Sequence, residues 1–282
     1  MKEYIETKEQ NIVKSLSTTF PELSFGVVNK LFRKKDIKVN GKRISSNIKV
    51  FPGDQVQVYF DFDILKKPLN IVYEDDNVAI VNKPSGIEVC DSESSLQAML
   101  GAYYTPVHRL DLNTEGLVIF AKNEDSEKAL LDGFVSKKIH KTYLAWIKGN
   151  LPKNEVVFKG YLFKDAKKSQ VYIYETKKPN TKEILTIISR YRGYNTTSLV
   201  KVSIPTGRTH QIRATMGYLG LPIIGDEKYG DTAFNKSLKL KRQCLAAVKL
   251  DFAFDSDSVL SYLNSKTFEI EPTWLAKVDK NI

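Results

Sequence analysis

The stretch "HRLDLNTEGLVIFAKN" at residues 108–123 places an arginine and an aspartate on a short polar segment directly before an apolar run. Turn-forming residues at 113–116 lead into "LVIFA" at 117–121, which is predicted to be a buried strand. A carboxylate on a loop anchored by a rigid strand is a common way to present a catalytic group, and the adjacent Arg109 would favour the ionised form of Asp111. An aspartate beside Asn and Thr is also a frequent turn or capping residue, so both interpretations stand at this point.

The apolar patterns around this stretch predict an α+β domain. Strands are predicted at "VAIVN", which ends at the rigid loop "KPSG", and at "KTYLAWIKG" and "SLVKVSIPTG". Helices are predicted for "EDSEKALLDGFVSKKI", with Ala129, Leu130 and Phe134 on its apolar side, and for "RTHQIRATMGYLG", with Ile212, Met216 and Leu219 inward. Many strands without regular βα alternation indicate a central mixed, mainly antiparallel sheet flanked by helices and loops.

Residues 1–62 are predicted to form a separate small domain. A helix is predicted to start at an N-cap at Ser24, because Val27, Val28, Leu31 and Phe32 recur at helical spacing. "DIKVNGKRI" predicts a hairpin about Asn40-Gly41, since both residues tolerate positive φ. A "PGD" turn then leads into a strand with Val56, Val58 and Phe60 on one face. The composition changes at residues 62–68, so residues 63–282 are predicted to be a second, larger domain.

Positive charge is concentrated in the small domain. The whole chain has 43 basic and 33 acidic residues, a net charge of +10, and the segment from Ser24 to Lys49 has eight basic residues against the single acid Asp36. The basic residues are Lys30, Arg33, Lys34, Lys35, Lys38, Lys42, Arg43 and Lys49. Such density indicates a polyanion-binding surface, and a solvated basic face without a ligand is the alternative.

Composition excludes several classes of protein. The chain has 282 residues and 42% apolar content, enough for a core, and its apolar runs are far shorter than the ~20 residues of a membrane span. The polar N-terminus lacks a secretory signal, and two cysteines without a CxxC pair, with three histidines, argue against disulfide or zinc frameworks. We therefore expect a cytoplasmic monomer without metal or membrane attachment.

The basic helix, the "KVNGKRIS" hairpin and the "PGD" turn resemble a small RNA-binding domain named after ribosomal protein S-four. The resemblance covers roughly residues 12–60. It implies that the basic surface faces structured RNA and reads shape and phosphates more than sequence.

Residues 68–282 resemble the RluA-type family of RNA pseudouridine synthases. Four blocks appear in the family's order: "VNKPSGIEV" at 81–89, "HRLDLNTEGLVIFAKN" at 108–123, "KTYLAWIKG" at 141–149 and "GRTHQIRATMGYLGLPIIGDEKYG" at 207–230. The resemblance implies an isomerase that converts specific uridines to pseudouridine, in large-subunit ribosomal RNA by preference, without a cofactor. The "HRLD" segment also invites comparison with the kinase catalytic loop, but the spacing differs and the chain has no Asp-Phe-Gly and no GxGxxG loop.

The resemblance also implies roles for individual residues. Asp111 matches the family's catalytic aspartate, Tyr143 the tyrosine that stacks on the uracil and helps remove the last proton, and Arg213 the basic partner of the aspartate. Arg109 matches the arginine that fills the gap left by the flipped nucleotide, and Ile212 would form an apolar pocket wall. Arg208, at a helix start suited to phosphate, and His108 are further candidates for RNA contact, although His108 and His210 are expected to be mainly structural hydrogen-bonding residues.

Three residues depart from the family pattern and keep alternatives open. Glu115 stands where a small serine is usual, Thr215 replaces a usual histidine, and Cys90 falls where a histidine is frequent. A catalytically inactive RNA-binding assembly factor, for which Glu115 is the only hint, and a synthase acting on tRNA are the alternatives. A glycoside hydrolase would need a second carboxylate, and only Glu115 is available in this stretch.

Overall fold

The structure, a computed structural model, describes residues 1–20, 23, 25–60, 69–92, 94–101, 103–240 and 242–278, without the side chains of residues 25–27 and 30. These residues form two compact units, one of residues 1–69 with 90–102 and one of residues 70–89 with 103–282. The predicted N-cap Ser24 and the predicted boundary at 62–68 lie outside the described residues. Within the described ranges, no helix is long and apolar enough to cross a membrane.

The described residues of the first unit form three helices and two small sheets. Its strands are β1 (Lys2–Ile5), β2 (Gln10–Asn11), β3 (Ile37–Val39), β4 (Lys42–Ile44), β5 (Lys49–Val50) and β6 (Gln55–Val58), and its helices are α1 (Ile12–Thr19), α2 (Phe25–Lys34) and α3 (Leu96–Leu100). The order β1-β6-β3-β4 forms an antiparallel sheet, and β2 pairs with β5. Apolar side chains of α1, α2 and the strands, such as Leu16, Leu31 and Val58, form its core.

The predicted hairpin and turn of this unit are confirmed. Asn40 and Gly41 have φ of 48° and 77°, the left-handed values that a two-residue hairpin needs, and they join β3 to β4. Gly53 in the "PGD" turn has φ of 93°. Val56 and Val58 of β6 are fully buried, and Phe60 packs partly against the same core. Strand β1 pairs with β6 from the other side, and the sequence patterns did not predict it.

The second unit is built on one large sheet. Its strands are β7 (Asn70–Glu74), β8 (Val78–Lys83), β9 (Thr105–Pro106), β10 (Glu115–Ala121), β11 (Ile139–Lys148), β12 (Glu155–Asp165), β13 (Gln170–Tyr174), β14 (Lys182–Gly193), β15 (Thr197–Ser203), β16 (Leu245–Phe252) and β17 (Thr267–Glu269). Its helices are α4 (Glu124–Val135), α5 (Gln211–Tyr218), α6 (Thr232–Ser237), a 3-10 turn (Ser261–Ser265) and α7 (Leu275–Val278).

The sheet order is β13-β12-β14-β15-β11-β16-β10-β8-β7, with β17 beside β16 and β9 beside β10. Among the described pairs, β10 and β16 run parallel and all others antiparallel, which confirms the predicted mixed, mainly antiparallel sheet. The segment 117–121 lies in β10, a strand whose residues are all buried, as predicted. Helix α4 begins with a capping box at Asn123 and buries Leu130.

Two backbone features position the centre of this sheet. Gly116 at the start of β10 has φ of 120°, and a Cβ there would meet the Ala247 carbonyl oxygen at 2.3 Å, so the close parallel approach of β16 needs glycine. The register between β11 and β16 shifts between Thr142 and Tyr143, where Val248 of β16 has no partner in the pairing. A β-bulge of this kind increases the local twist of the paired strands.

Candidate active site

Asp111 lies on a loop that the surrounding backbone holds in place. The Lys83 ammonium, fully buried at the end of β8, donates to the carbonyls of Pro84, Ile87 and Leu112 at 3.0, 2.7 and 3.1 Å. The Gly86 amide also donates to the Leu112 carbonyl at 2.8 Å. Burial lowers the pKa of Lys83 to about 8, while the charges of Asp111 and Glu115 oppose that shift. Lys83 therefore ties the "KPSG" loop to the loop that carries Asp111.

The Asp111 carboxylate pairs with Arg213 of α5. Arg213 Nη1 donates to Asp111 Oδ2 at 2.9 Å, while its Nε and Nη2 donate to Asp226 Oδ2 and Oδ1 at 2.7 and 3.0 Å. Burial alone would lower the pKa of Arg213, but the charges of Asp226 and Asp111 outweigh burial and raise the pKa above its usual value. One guanidinium thus bridges two carboxylates through a fork geometry that lysine lacks.

Asp226 is the fully buried anchor of this network. It also accepts from the amides of Lys228 and Tyr229 at 2.9 and 3.0 Å. Burial would raise the pKa of Asp226, but the Arg213 guanidinium and these two amides lower it below its usual value. Asp226 therefore fixes the orientation in which Arg213 reaches Asp111.

A pocket of about 1030 Å³ opens over Asp111 and is lined by Tyr143, Ile212 and Arg213. Tyr143 is 5% exposed, and burial together with the charge of Asp111 raises the pKa of its phenol above the usual range. Ile212 is also buried and contributes an apolar part of the wall. The geometry thus combines a carboxylate, its cationic partner, an aromatic ring and an apolar wall, which is suited to holding a flat polar ring away from water.

The two histidines beside the site make structural hydrogen bonds. His108 Nε2 accepts from the Ile119 amide at 3.0 Å, and burial lowers the pKa of His108 well below its usual value. His210, in the left-handed conformation with φ of 51°, places Nδ1 2.9 Å from the Tyr229 hydroxyl and Nε2 3.9 Å from Asp111 Oδ2. Burial lowers the pKa of His210, although the Asp111 charge opposes this.

Arg109 and Arg208 line the same pocket and are exposed. The Arg208 amide donates to Gln211 Oε1 at 3.1 Å, so the loop before α5 is fixed by its backbone while the guanidinium faces solvent. The pocket thus brings together every residue that the sequence nominated for the second domain: Asp111, Tyr143, Arg213, Arg109, Arg208, His108 and Ile212.

The three departures from the family pattern have different surroundings. Glu115 is buried and accepts from the Thr273 amide and hydroxyl at 2.8 and 2.7 Å, so both of its oxygens are occupied. Thr215 is fully buried on α5, and its hydroxyl has no hydrogen-bond partner among the residues that the structure describes. Cys90 is half-buried. Glu115 therefore anchors the segment before α7.

The basic residues of the first unit surround the end of α2 and the hairpin. Arg33, Lys34, Lys35, Lys42 and Arg43 are exposed, and the side chain of Lys30 lies outside the described residues. Arg43 donates to the Lys35 carbonyl at 2.6 Å and lies 3.7 Å from Asp36, which brings β4 beside the end of the helix. Lys38 and Arg43 also lie near the Tyr59 ring, at 5.0 and 5.7 Å from its centroid.

Asp226, Lys83 and Tyr229 are site residues that the sequence analysis missed. Two of them carried a signal, because each is a charged residue close to an apolar run: Lys83 ends the strand "VAIVNK", and Asp226 follows the run "LPII" and a glycine. Within the described part of the chain, no group of three or more His, Cys, Asp or Glu residues could hold a metal ion.

Comparison with known proteins adds an independent finding. Residues 64–218 match a family model described as RNA pseudouridylate synthase. An uncharacterized RNA pseudouridine synthase of Bacillus subtilis is 31% identical over 88% of this chain and 87% of its own length. A protein of Rickettsia bellii named ribosomal large subunit pseudouridine synthase C is 32% identical over 77% of this chain and 82% of its own.

The fold has a solved counterpart. The human RNA pseudouridylate synthase domain containing 1 protein superposes with a TM-score of 0.63 and 24% identity, and the match covers 76% of this chain and 87% of that one. This likeness concerns the fold alone.

Proposed function

Because the chain belongs to the RNA pseudouridine synthase family, whose members are isomerases, we propose that it converts uridines of large-subunit ribosomal RNA to pseudouridine, with Asp111 as its catalytic group. The observation that carries the proposal is the 2.9 Å pairing of Asp111 with Arg213 inside a pocket that Tyr143 also lines. The choice of RNA rests on the names of relatives such as the Rickettsia bellii protein.

The reaction breaks the bond between ribose C1′ and uracil N1, turns the uracil and joins C5 to C1′. C5 then loses its proton and N1 gains one, so the product is an isomer of uridine. The base must first leave its stack, which costs a few kcal/mol. The pocket then has to retain the detached uracil, and the Tyr143 ring and Ile212 supply apolar surface for this. Asp111 either adds to the ribose or removes a ribose proton to start the cleavage, and both routes need the carboxylate to be ionised.

Arg213 orients Asp111 and places a positive charge beside its carboxylate, through the 2.9 Å hydrogen bond from Nη1 to Oδ2. Tyr143 enters the reaction as a neutral phenol, because its raised pKa disfavours the phenolate. Its ring can hold the base throughout, and its hydroxyl can take the C5 proton only while passing its own proton to an acceptor.

The RNA-binding role of the first unit belongs to the same proposal. Its exposed cations around α2 and the hairpin would contact phosphates, as an S-four-like domain does, and so supply most of the salt-dependent affinity. The exposed Arg109 would occupy the space that the flipped nucleotide leaves.

The proposal is tested with RNA from cells that lack the protein. Purified protein is incubated separately with deproteinised large-subunit ribosomal RNA, small-subunit ribosomal RNA and tRNA, and new pseudouridines are mapped by carbodiimide modification and primer extension. We expect product at a few uridines of the large-subunit RNA. Product in tRNA alone would show that tRNA is the substrate. Tight binding without product in any RNA would identify an inactive RNA-binding factor.

A further inference from the structure

A lysine outside the Asp111 network, Lys141, lies in the wall of the same pocket. It stands two residues before Tyr143 on β11 and is half-buried. Its ammonium lies 4.8 Å from the centroid of the Phe134 ring on α4. A Cβ built on Gly207 would lie 4.0 Å from the same ammonium, so Lys141 borders the loop that leads into α5.

Among the described residues, the Lys141 ammonium has no acidic partner. In the part of the chain that the structure describes, it makes no hydrogen bond and no ion pair with a carboxylate, and it lies over the face of the Phe134 ring. Nearby lysines differ: Lys83 donates to three carbonyls, and Lys138 pairs with Asp255 at 2.8 Å. Desolvation accordingly lowers the pKa of Lys141 to about 8. A partly buried cation without a counter-charge is unfavourable unless a ligand provides one.

The neighbouring wall favours an anionic ligand. Besides Lys141 and Arg213, the described lining of the pocket contains five lysines and arginines: Arg109, Lys137, Lys164, Arg208 and Lys228. Its acids are Glu88 and Asp111, and Arg213 already pairs with Asp111. A nucleotide that turns into the pocket brings its two flanking phosphates to the rim.

We propose that Lys141 binds a phosphodiester of the RNA strand next to the turned-in uridine, and so holds the backbone while the base lies beside Tyr143. This inference rests on the proposed function, because it takes the substrate to be RNA. It adds a binding residue on β11 and leaves the roles of Asp111 and Arg213 unchanged. The ammonium acts on the charge of the backbone, so its contribution is independent of base identity.

The test compares Lys141→Met with Lys141→Arg in the full chain. Lys138→Met is the matched control, because Lys138 is also close to the start of β11 but pairs with Asp255. Binding of a short fluorescent oligouridylate is measured by anisotropy, and the same oligomer with uncharged methylphosphonate linkages serves as the second probe. We expect Lys141→Met to bind the charged oligomer roughly tenfold more weakly, as the loss of one charge-assisted contact predicts, and to bind the uncharged oligomer as the wild type does.

Salt dependence and stability separate binding from a structural role. The slope of log affinity against log salt concentration should fall by about 0.7 in Lys141→Met, the value for one phosphate contact to single-stranded RNA. Lys141→Arg should restore the slope, and Lys138→Met should leave it unchanged. The thermal midpoint of Lys141→Met should stay level or rise, because the variant removes an unpaired and partly buried cation.

The inference is overturned if Lys141→Met binds the charged oligomer as tightly as the wild type, if it weakens binding of both oligomers equally, or if the wild type does not bind the charged oligomer. These results differ from a failure of the proposed function. If the wild type makes pseudouridine and Lys141→Met binds the charged oligomer normally, only the proposed phosphate contact is refuted. If Lys141→Met weakens binding of the charged oligomer as expected but the wild type makes no pseudouridine in any RNA, the phosphate contact stands and the proposed enzymatic role is refuted.

Discussion

Replacing Arg213 by methionine should damage stability and activity for separate reasons. The guanidinium makes two hydrogen bonds to Asp226, at 2.7 and 3.0 Å, and one to Asp111 at 2.9 Å. Asp226 is fully buried, so the variant leaves a buried carboxylate without its cation, which costs about 3–5 kcal/mol of unfolding free energy. Asp111 loses the group that orients it, and removal of one such preorganised donor lowers a rate by roughly 10²–10³.

The double variant Arg213→Met/Asp226→Asn isolates the cause of the stability loss. It removes the stranded charge together with the cation, so it should recover much of the loss seen in Arg213→Met while the rate stays low. Unfolding in urea gives the stabilities, and single-turnover pseudouridine formation gives the rates. Arg208→Met is the control for removing an exposed arginine from the same pocket and should unfold like the wild type.

An Arg213→Met protein that loses less than about 1 kcal/mol, the range of an exposed ion pair, would refute this explanation. A double variant no more stable than Arg213→Met would refute it equally, because the stranded Asp226 charge would then not be the source of the cost. A normal rate in Arg213→Met would show that Asp111 is oriented by something else.

Three further predictions follow from particular contacts. Gly116→Ala should lower the thermal midpoint far more than Gly220→Ala. Both glycines have positive φ (120° and 71°), but only at Gly116 would a Cβ collide with a neighbour, the Ala247 carbonyl oxygen at 2.3 Å. Equal losses of the thermal midpoint would mean that the backbone conformation alone sets the cost. Burial lowers the folded-state pKa of His108, so below about pH 6.5 the unfolded chain takes up a proton that the folded chain does not. The free energy of unfolding should therefore fall with decreasing pH, with a slope of up to ~1.4 kcal/mol per pH unit. In urea titrations between pH 7 and 5, His108→Gln should lose this part of the slope, and an unchanged slope would show that His108 is not its source. The double variant Lys34→Gln/Lys42→Gln should reduce the slope of log RNA affinity against log salt concentration by about 0.7–0.9 for each phosphate that it no longer binds. Filter binding measures this slope, and an unchanged slope would place the RNA-binding surface elsewhere.

Features that local sequence patterns determine were predicted well. The buried strand β10, the helix α4 and the Asn40-Gly41 hairpin each depend on residues close together in the chain, where period and turn chemistry act directly. Asp111 and Arg213 were nominated through the family resemblance, and the structure places their side chains in contact although 102 residues separate them.

Features that depend on distant contacts were not predictable from local patterns. Asp226 is important because Arg213 reaches it, and no periodicity reveals which acid a buried guanidinium will meet. Lys83 has the pattern of a polar strand end, yet the loops around it supply three carbonyl acceptors that allow its burial. Glu115 stands four positions after Asp111 in the sequence, but its oxygens accept hydrogen bonds from Thr273, 158 residues away. The register shift beside Tyr143 likewise depends on the pairing of β11 with β16.

The most direct measurement concerns the Asp111 carboxylate itself. Pseudouridines are mapped in large-subunit ribosomal RNA from cells that lack the gene and from cells that express either the wild type or Asp111→Asn, with the RNA affinity of both purified proteins measured in parallel. We predict that specific pseudouridines disappear without the gene, return with the wild type and stay absent with Asp111→Asn, although the two proteins bind RNA with nearly equal affinity. Return of the same pseudouridines with Asp111→Asn would contradict the catalytic role of this carboxylate.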